Sequence, residues 1–258
     1  VLGLSTVHMK GREDAEEIRR LLSLCGIRVI SMPGGGSNWE DIMAAPSASL
    51  NIVVRDELGL SLAKQMERDF GTPYMSCGLP YGTDGTMTWL SEIIEKLGAG
   101  ELTRASHAAA KLKEFLLRKG NNLESLWGPL WFDAVLISAP PSEALGIAET
   151  IRSEWIDTAR LCIHAQCETE KSTPAADAIR VVMKNEKEIT KDYEDWQGGL
   201  VLSSSHETHL LRRMGRSFTG FHIALPSHDE VHFSDLPQCG LRGAGYLYEQ
   251  LWNAKLRK

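Results

Sequence analysis

This chain says nearly the same thing twice. Leu50-Asn51-Ile52-Val53-Val54 leads on to Met66, Phe70 and Leu79-Pro80, and Leu200-Val201-Leu202-Ser203 leads on to Met214, Phe218 and Leu225-Pro226. The offset is 148 residues from Ile52/Leu200 through Phe70/Phe218 and 146 at the Leu-Pro pair, so the spacing slips by only two. In each copy an apolar run of strand length enters a segment of helical length, which predicts two similar βα lobes. Two such lobes make a cleft, and function is expected there rather than inside one half.

Bulk properties agree with this division. The chain has 258 residues, enough for two ordinary domains, with 43% hydrophobic and 24% charged residues. Its net charge of −6 leaves no basic excess to neutralise phosphates, which argues against a nucleic-acid binder. No apolar run approaches the ~20 residues of a membrane helix. Val1 to Val7 lacks the basic start and long apolar core of a secretory signal, and it reads as a buried strand entered directly. The chain is therefore expected to be a piece of a longer protein. Cys25, Cys77, Cys162, Cys167 and Cys239 are odd in number and scattered, which suits a reducing cytoplasm better than a disulfide framework.

The expected fold is α/β: two Rossmann-like lobes with mainly parallel sheets, joined by a long helix. The first lobe is 1–98, the connecting helix 99–122 and the second lobe 123–258. In the first lobe strands are expected at Val1–Val7, Arg28–Ser31, Leu50–Val54 and Pro73–Ser76. Helices are expected at Arg12–Leu24, Leu58–Phe70 and Gly85–Leu97, with a short one after Ser37 closed by a Ser37/Glu40 capping box. The Ala- and Lys-rich helix from Glu101 should end at Gly120-Asn121-Asn122. In the second lobe, strands are expected at Asp133–Ser138, Ala159–His164, Gly199–Ser203 and Gly220–Leu225. Its helices are Glu143–Trp155, about Ala175–Asp192 after a polar loop at 166–174, Ser205–Met214 and Leu241–Lys255. Continuous apolar strands between helices imply parallel sheets covered on both faces, about four βα units per lobe.

Several motifs carry possible chemistry, each beside a plainer reading. Pro33-Gly34-Gly35-Gly36-Ser37 follows a strand and precedes a helix, so Gly35 and Gly36 can present N–H groups to an anion, or form a simple turn. Ser203-Ser204-Ser205-His206-Glu207 lies where a strand passes into a helix, the edge at which open sheets bind ligands; its hydroxyls also suit a helix cap. Arg55 occupies the repeat-related place in the first lobe and can meet an anionic ligand or sit solvated on the surface. Pro226-Ser227-His228-Asp229-Glu230-Val231-His232 offers imidazoles and carboxylates for a metal or a proton, or hydrogen-bonds itself. Cys239 precedes the last helix, where a lowered pKa would make it a metal ligand; the alternative is a buried inert thiol.

The order and spacing of these residues resemble nitrogenase component 1. The resemblance is carried by Leu50–Val54, Ala63, Phe70-Gly71-Thr72-Pro73-Tyr74 and Leu79-Pro80-Tyr81-Gly82. It continues through Gly26–Val29, Ser37 and Asp41-Ile42, and through Leu225-Pro226, Asp229, Cys239-Gly240-Leu241-Arg242-Gly243-Ala244, Leu247, Glu249 and Asn253. It is clearest at 12–97 and 199–254. The resemblance implies subunits built of Rossmann-like domains, paired with a homologous or identical subunit, and supplied with electrons by an ATP-dependent iron–sulfur reductase. It implies an iron–sulfur cluster or related metallocofactor in the full-length protein.

Departures from the family pattern narrow this. The N-terminal domain that supplies cluster cysteines has no counterpart here. At the strand position where the catalytic α-type subunit carries a cofactor-ligating cysteine, this chain has Arg55, and the cofactor's histidine ligand falls at Cys239. A β-type or scaffold-like subunit fits better than a nitrogenase active site. The expectation is a portion of an oxidoreductase, inactive alone, whose cleft is lined by Gly35, Gly36, Arg55, Ser204, His206, His228 and the candidate metal ligand Cys239. A non-catalytic scaffold for cofactor assembly and a two-lobed binding protein for a metal chelate or small anion are the alternatives.

Overall fold

The computed structural model describes residues 1–165, 179–183 and 186–257. The chain forms two compact units: Val1–Gly120 with Asp235–Tyr246, and Asn121–Ser234 with Leu247–Lys258.

In the first unit, helix α1 (Gly11–Leu24) is followed by α2 (Trp39–Ala44), a 3₁₀ turn (Ala45–Ser47), strand β1 (Asn51–Val53), α3 (Asp56–Phe70), β2 (Tyr74–Ser76) and α4 (Thr83–Leu97). Helix α1 buries a stripe of Ala15, Ile18, Leu21 and Leu22 and stops at Gly26, whose φ of 76° continues no helix. β1 and β2 pair in parallel, and α3 crosses between them. Leu2, Ala45, Val53, Ala63 and Met66 form the core beneath that unit.

Three expectations fail here for local reasons. Val1–Val7 is not a strand: only Leu2 bridges Val53, because Gly3 turns the chain at φ 89°. Arg28–Ser31 is likewise irregular, since the edge it would join ends at Leu2. The capping box of α2 is Asn38/Asp41, one residue later than expected, while the Ser37 hydroxyl accepts the Met32 N–H at 2.6 Å instead.

Helix α5 (Thr103–Trp127) runs through Gly120-Asn121-Asn122 rather than ending there. Gly120 is buried within it, and the helix continues despite the ~1 kcal/mol that a helical glycine costs. The first unit therefore does not reach four βα units; among its described residues the sheet has two strands.

The second unit contains β3 (Trp131–Ala139), α6 (Pro141–Thr150, extended by a π-helical turn, Ile151–Trp155), β4 (Asp157–Ala165), β5 (Ile179–Met183), α7 (Glu186–Glu194), β6 (Leu200–Ser203), α8 (Ser205–Arg213) and β7 (Thr219–His222). Helix α9 (Gly240–Leu256) starts in the first unit and ends in the second. A strand stands at 179–183 where a helix was expected, paired with β4 through Ile163↔Val181. The loop expected at 166–174 and Cys167 lie outside the described residues.

The sheet is parallel throughout, in the order β5-β4-β3-β6-β7. Its register aligns Leu136 with Cys162 and Val201, and these pack with Ala134, Tyr193, Trp196 and Leu211 on one face. Val135 and Ile137 on the opposite face are buried as well, as a sheet covered on both sides requires. The order reverses between β3 and β6, so the carboxyl ends of those strands form the switch point where such sheets bind ligands. The long repeat has a structural basis: β1-α3-β2 and β6-α8-β7 are the same parallel βαβ unit.

Candidate functional site

The carboxyl edge of the second unit is built by Ser204 and Ser205. Ser204 leaves β6 in an extended conformation (φ −96°, ψ 174°) and caps α8. Its hydroxyl accepts the His206 N–H at 3.1 Å, and Glu207 returns a carboxylate oxygen to the Ser204 N–H at 3.1 Å. Ser205 stitches the following loop to the helix: its N–H and hydroxyl donate to the Pro226 carbonyl at 2.8 and 2.7 Å, and its oxygen accepts the His228 N–H at 3.1 Å. His206 and His228 are exposed and line one hollow of about 460 Å³ with Ser205, His209, Arg212, Pro226 and Asp229. Arg212 donates to Asp229 at 2.6 Å, and this hydrogen bond holds the Asp229 carboxyl below its usual range.

The first unit holds the other four candidates. Gly34 has φ 74°, and a Cβ there would lie 2.3 Å from the Leu4 carbonyl; the Gly35 N–H donates to Met32 at 2.8 Å. A Cβ on Gly35 would meet Leu4 and Ala15 side chains, whereas Gly36 (φ 96°) faces open space. The glycines thus let the turn pack against the chain at Leu4, and only Gly36 is unconstrained by neighbours.

Arg55 and Cys239 are both fully buried, and Asp14 of α1 joins them. One Asp14 oxygen accepts the Gln238 and Cys239 N–H groups at 2.8 and 3.0 Å; the other lies 3.9 Å from the Arg55 guanidinium, which also donates to the Gly3 carbonyl at 3.3 Å. One turn further on, the buried Glu17 accepts the Arg242 N–H at 3.1 Å and binds Arg20 through both oxygens at 2.7 Å. Two carboxylates therefore occupy the positive end of α9. The Cys239 thiol donates to the Asp14 carbonyl at 3.8 Å, and its pKa is pushed well up, first by burial and then by Asp14 and Glu17. The lowered pKa expected beside a helix N-terminus is not found, because the thiol is buried and carboxylates already fill that position. A solvated Arg55 is excluded equally.

Two groups of donor atoms come within ligating distance among the described residues: Cys162, His164 and Asp192, and His222, Glu230 and His232. In the first, His164 Nε2 meets Cys162 Sγ at 3.3 Å and Asp192 Oδ2 at 3.0 Å, and the thiol points at the same carboxylate oxygen at 3.4 Å. Because one imidazole nitrogen serves both partners, this is not a nucleophile–base–acid relay, which needs both nitrogens. Neither group includes more than one cysteine, and the Arg55/Cys239 locus offers a protonated thiol beside a paired guanidinium. Those residues do not fit an iron–sulfur cluster, which takes several cysteine thiolates.

His222 and Asp192 were not singled out from the sequence. His222 lies in the apolar run Phe221-His222-Ile223-Ala224 and reads as core. Cys162 and His164 alternate on one strand and so share a face, a signal that was available.

No described helix is long and apolar enough to cross a membrane. Among curated proteins, the chain is similar to the B subunit of the light-independent protochlorophyllide reductase of Prosthecochloris aestuarii, 24% identical over 98% of this chain and 50% of that protein. It is also similar to the corresponding protein of a Synechococcus species, 27% identical over 96% of this chain and 47% of that protein. The chain thus spans about half the length of these relatives. Its fold resembles a solved structure described as nitrogenase Cp1 at pH 6.5, with a TM-score of 0.70 at 17% identity, over 95% of this chain and 57% of that one. The family model for nitrogenase component 1 type oxidoreductases matches residues 1–256, and the chain belongs to that family.

Proposed function

We propose that this chain is the C-terminal two-domain portion of a β-type subunit in a component 1-type oxidoreductase. In the complete protein, electrons from an ATP-dependent iron–sulfur reductase would reach a metallocofactor or reducible substrate, with a homologous or identical subunit as partner. The carrying observation is the Asp14–Arg55–Cys239 network. By resemblance, Arg55 and Cys239 stand where the catalytic α-type subunit holds its cofactor. Here Cys239 fastens the start of α9 to α1 through Asp14, and Arg55 is held by Asp14 and the Gly3 carbonyl, so their part is to shape the domain, not to ligate metal. The similarity to the B subunit of protochlorophyllide reductase supports the same side of the family. Gly36, Ser204, His206 and His228 remain the residues proposed to face a bound group, the last three because they converge on the carboxyl edge of the second unit's sheet. Cys25, Cys77, Cys162 and Cys239 stand as thiols rather than disulfides, which supports a cytoplasmic setting.

The test uses the full-length protein purified without oxygen. Iron content and the visible spectrum are recorded before and after adding a reductase and ATP. Stoichiometric iron with a band that bleaches on reduction supports the reading, and a colourless, iron-free protein rejects it. Cys239→Ser is expected to leave iron content and spectrum unchanged. Loss of iron in a folded Cys239→Ser protein would overturn the β-type assignment.

A further inference from the structure

The loop after β7 folds back so that two imidazole nitrogens meet at the Ser227 hydroxyl, with a carboxylate oxygen close to both nitrogens. Ser227 Oγ lies 2.8 Å from His222 Nδ1 and 3.1 Å from His232 Nε2. Glu230 Oε2 lies 3.9 Å from each of those nitrogens, and all three donors fall within 4.8 Å of one another.

The arrangement is fixed from behind. His222 is buried, and its far nitrogen, Nε2, sits 3.4 Å from Asp229 Oδ1. The Thr208 hydroxyl donates to the Ser205 carbonyl at 3.1 Å and so accepts from Nε2 at 3.4 Å, which assigns the proton to Nε2 and turns the Nδ1 lone pair inward. An acceptor on the outer N–H of an imidazole, here the Thr208 hydroxyl with the Asp229 carboxylate nearby, is the kind of arrangement that orients histidine ligands in metal sites. Glu230 is fixed as well, because its Oε2 accepts the His222 backbone N–H at 3.0 Å.

We propose that His222, Glu230 and His232 bind a divalent transition-metal ion of the zinc class at the carboxyl edge of the second unit. Two imidazoles and one carboxylate form a three-ligand set that leaves a position for water or substrate. Two metal–ligand bonds of about 2.1 Å can span at most about 4.2 Å, so the 3.9 Å edges are already inside that limit and small side-chain rotations close the remainder. His232 and Glu230 are partly exposed, which gives an ion a route in. Without metal, the Ser227 hydroxyl holds the ligands apart by donating to His222 and accepting from His232.

The purified protein is titrated with zinc ion alone, bound zinc is counted after desalting, and cobalt ion is substituted to read the ligand-field spectrum. One zinc per chain at this locus is expected, with cobalt bands of nitrogen–oxygen coordination. His232→Ala and Glu230→Gln, both partly exposed positions, should each weaken zinc about 100-fold or more. Cys162→Ser should leave binding unchanged and Ser227→Ala should not abolish it. Zinc retained in His232→Ala, zinc lost in Cys162→Ser, a sulfur-to-cobalt charge-transfer band, or no zinc bound at micromolar concentration would each overturn the proposal.

Discussion

Replacing Asp14 by alanine should be the most damaging single change in the first unit. Asp14 is 1% exposed and makes two amide-to-carboxylate hydrogen bonds, to Gln238 and Cys239, besides facing the buried Arg55 guanidinium. Each hydrogen bond to a charged group contributes about 1.5–3 kcal/mol. Leaving a buried charge without its partner costs about 3–5 kcal/mol. These costs overlap, because the same carboxylate is lost, so the expected total is about 3–5 kcal/mol rather than their sum. At roughly 2–4 °C per kcal/mol, the midpoint of the first unit's thermal transition falls by roughly 6–20 °C. Arg55→Met should cost less, since Asp14 keeps both amide donors. Thermal melts followed by circular dichroism give the ranking, and a thiol reagent gives a local reading: Cys239, sealed in the wild type, should react in Asp14→Ala below the melting range. If Asp14→Ala costs under about 1 kcal/mol, or less than Arg55→Met, the network is not what fastens α9 to α1.

Other perturbations separate packing from chemistry. Gly34→Ala should destabilise by more than the ~1–2 kcal/mol of a left-handed residue, because its Cβ also strikes the Leu4 carbonyl, whereas Gly36→Ala should cost no more than that conformational penalty; urea midpoints compare them. Ser204→Ala removes the cap of α8 and should cost about 0.5–2 kcal/mol in the second unit's transition. Burial pushes the Cys77 thiol from 9.0 to about 12, so its contribution to stability is complete below pH 9 and is lost as the pH rises towards 12; Cys77→Ala should flatten the fall in stability across that window.

Elements that bury one face of a long periodic segment were legible in the sequence; elements that depend on a distant neighbour were not. α1, α3, α4 and β3 declare themselves through their own apolar spacing. Val1–Val7 has the same apolar content as a strand, but Gly3 turns the backbone away after one bridge, and Arg28–Ser31 then has no edge to pair with. At 179–183 the segment Ile179-Arg180-Val181-Val182-Met183 is rich in β-branched residues, yet it is short and abuts helix-forming sequence. Pairing with β4, set by the register of Leu161↔Ile179, decides the matter.

The Asp14 network had a sequence signal that only the structure makes readable. Asp14 and Glu17 lie on the stripe of α1 that also carries Ile18, Leu21, Leu22 and Cys25, all buried. Two carboxylates on an apolar helix face demand buried donors, and those donors come from residues 238–242, some 225 positions away. The same demand explains why Cys239 is a thiol and not a thiolate. The first turn of α9 can stabilise negative charge, but Asp14 and Glu17 already supply it, and Arg55 is the guanidinium facing Asp14. A thiolate at Cys239 would be a further anion in a site sealed from water, so burial and crowding together keep the proton on sulfur. The guanidinium and the α9 amides are thus answered by carboxylates from within the domain.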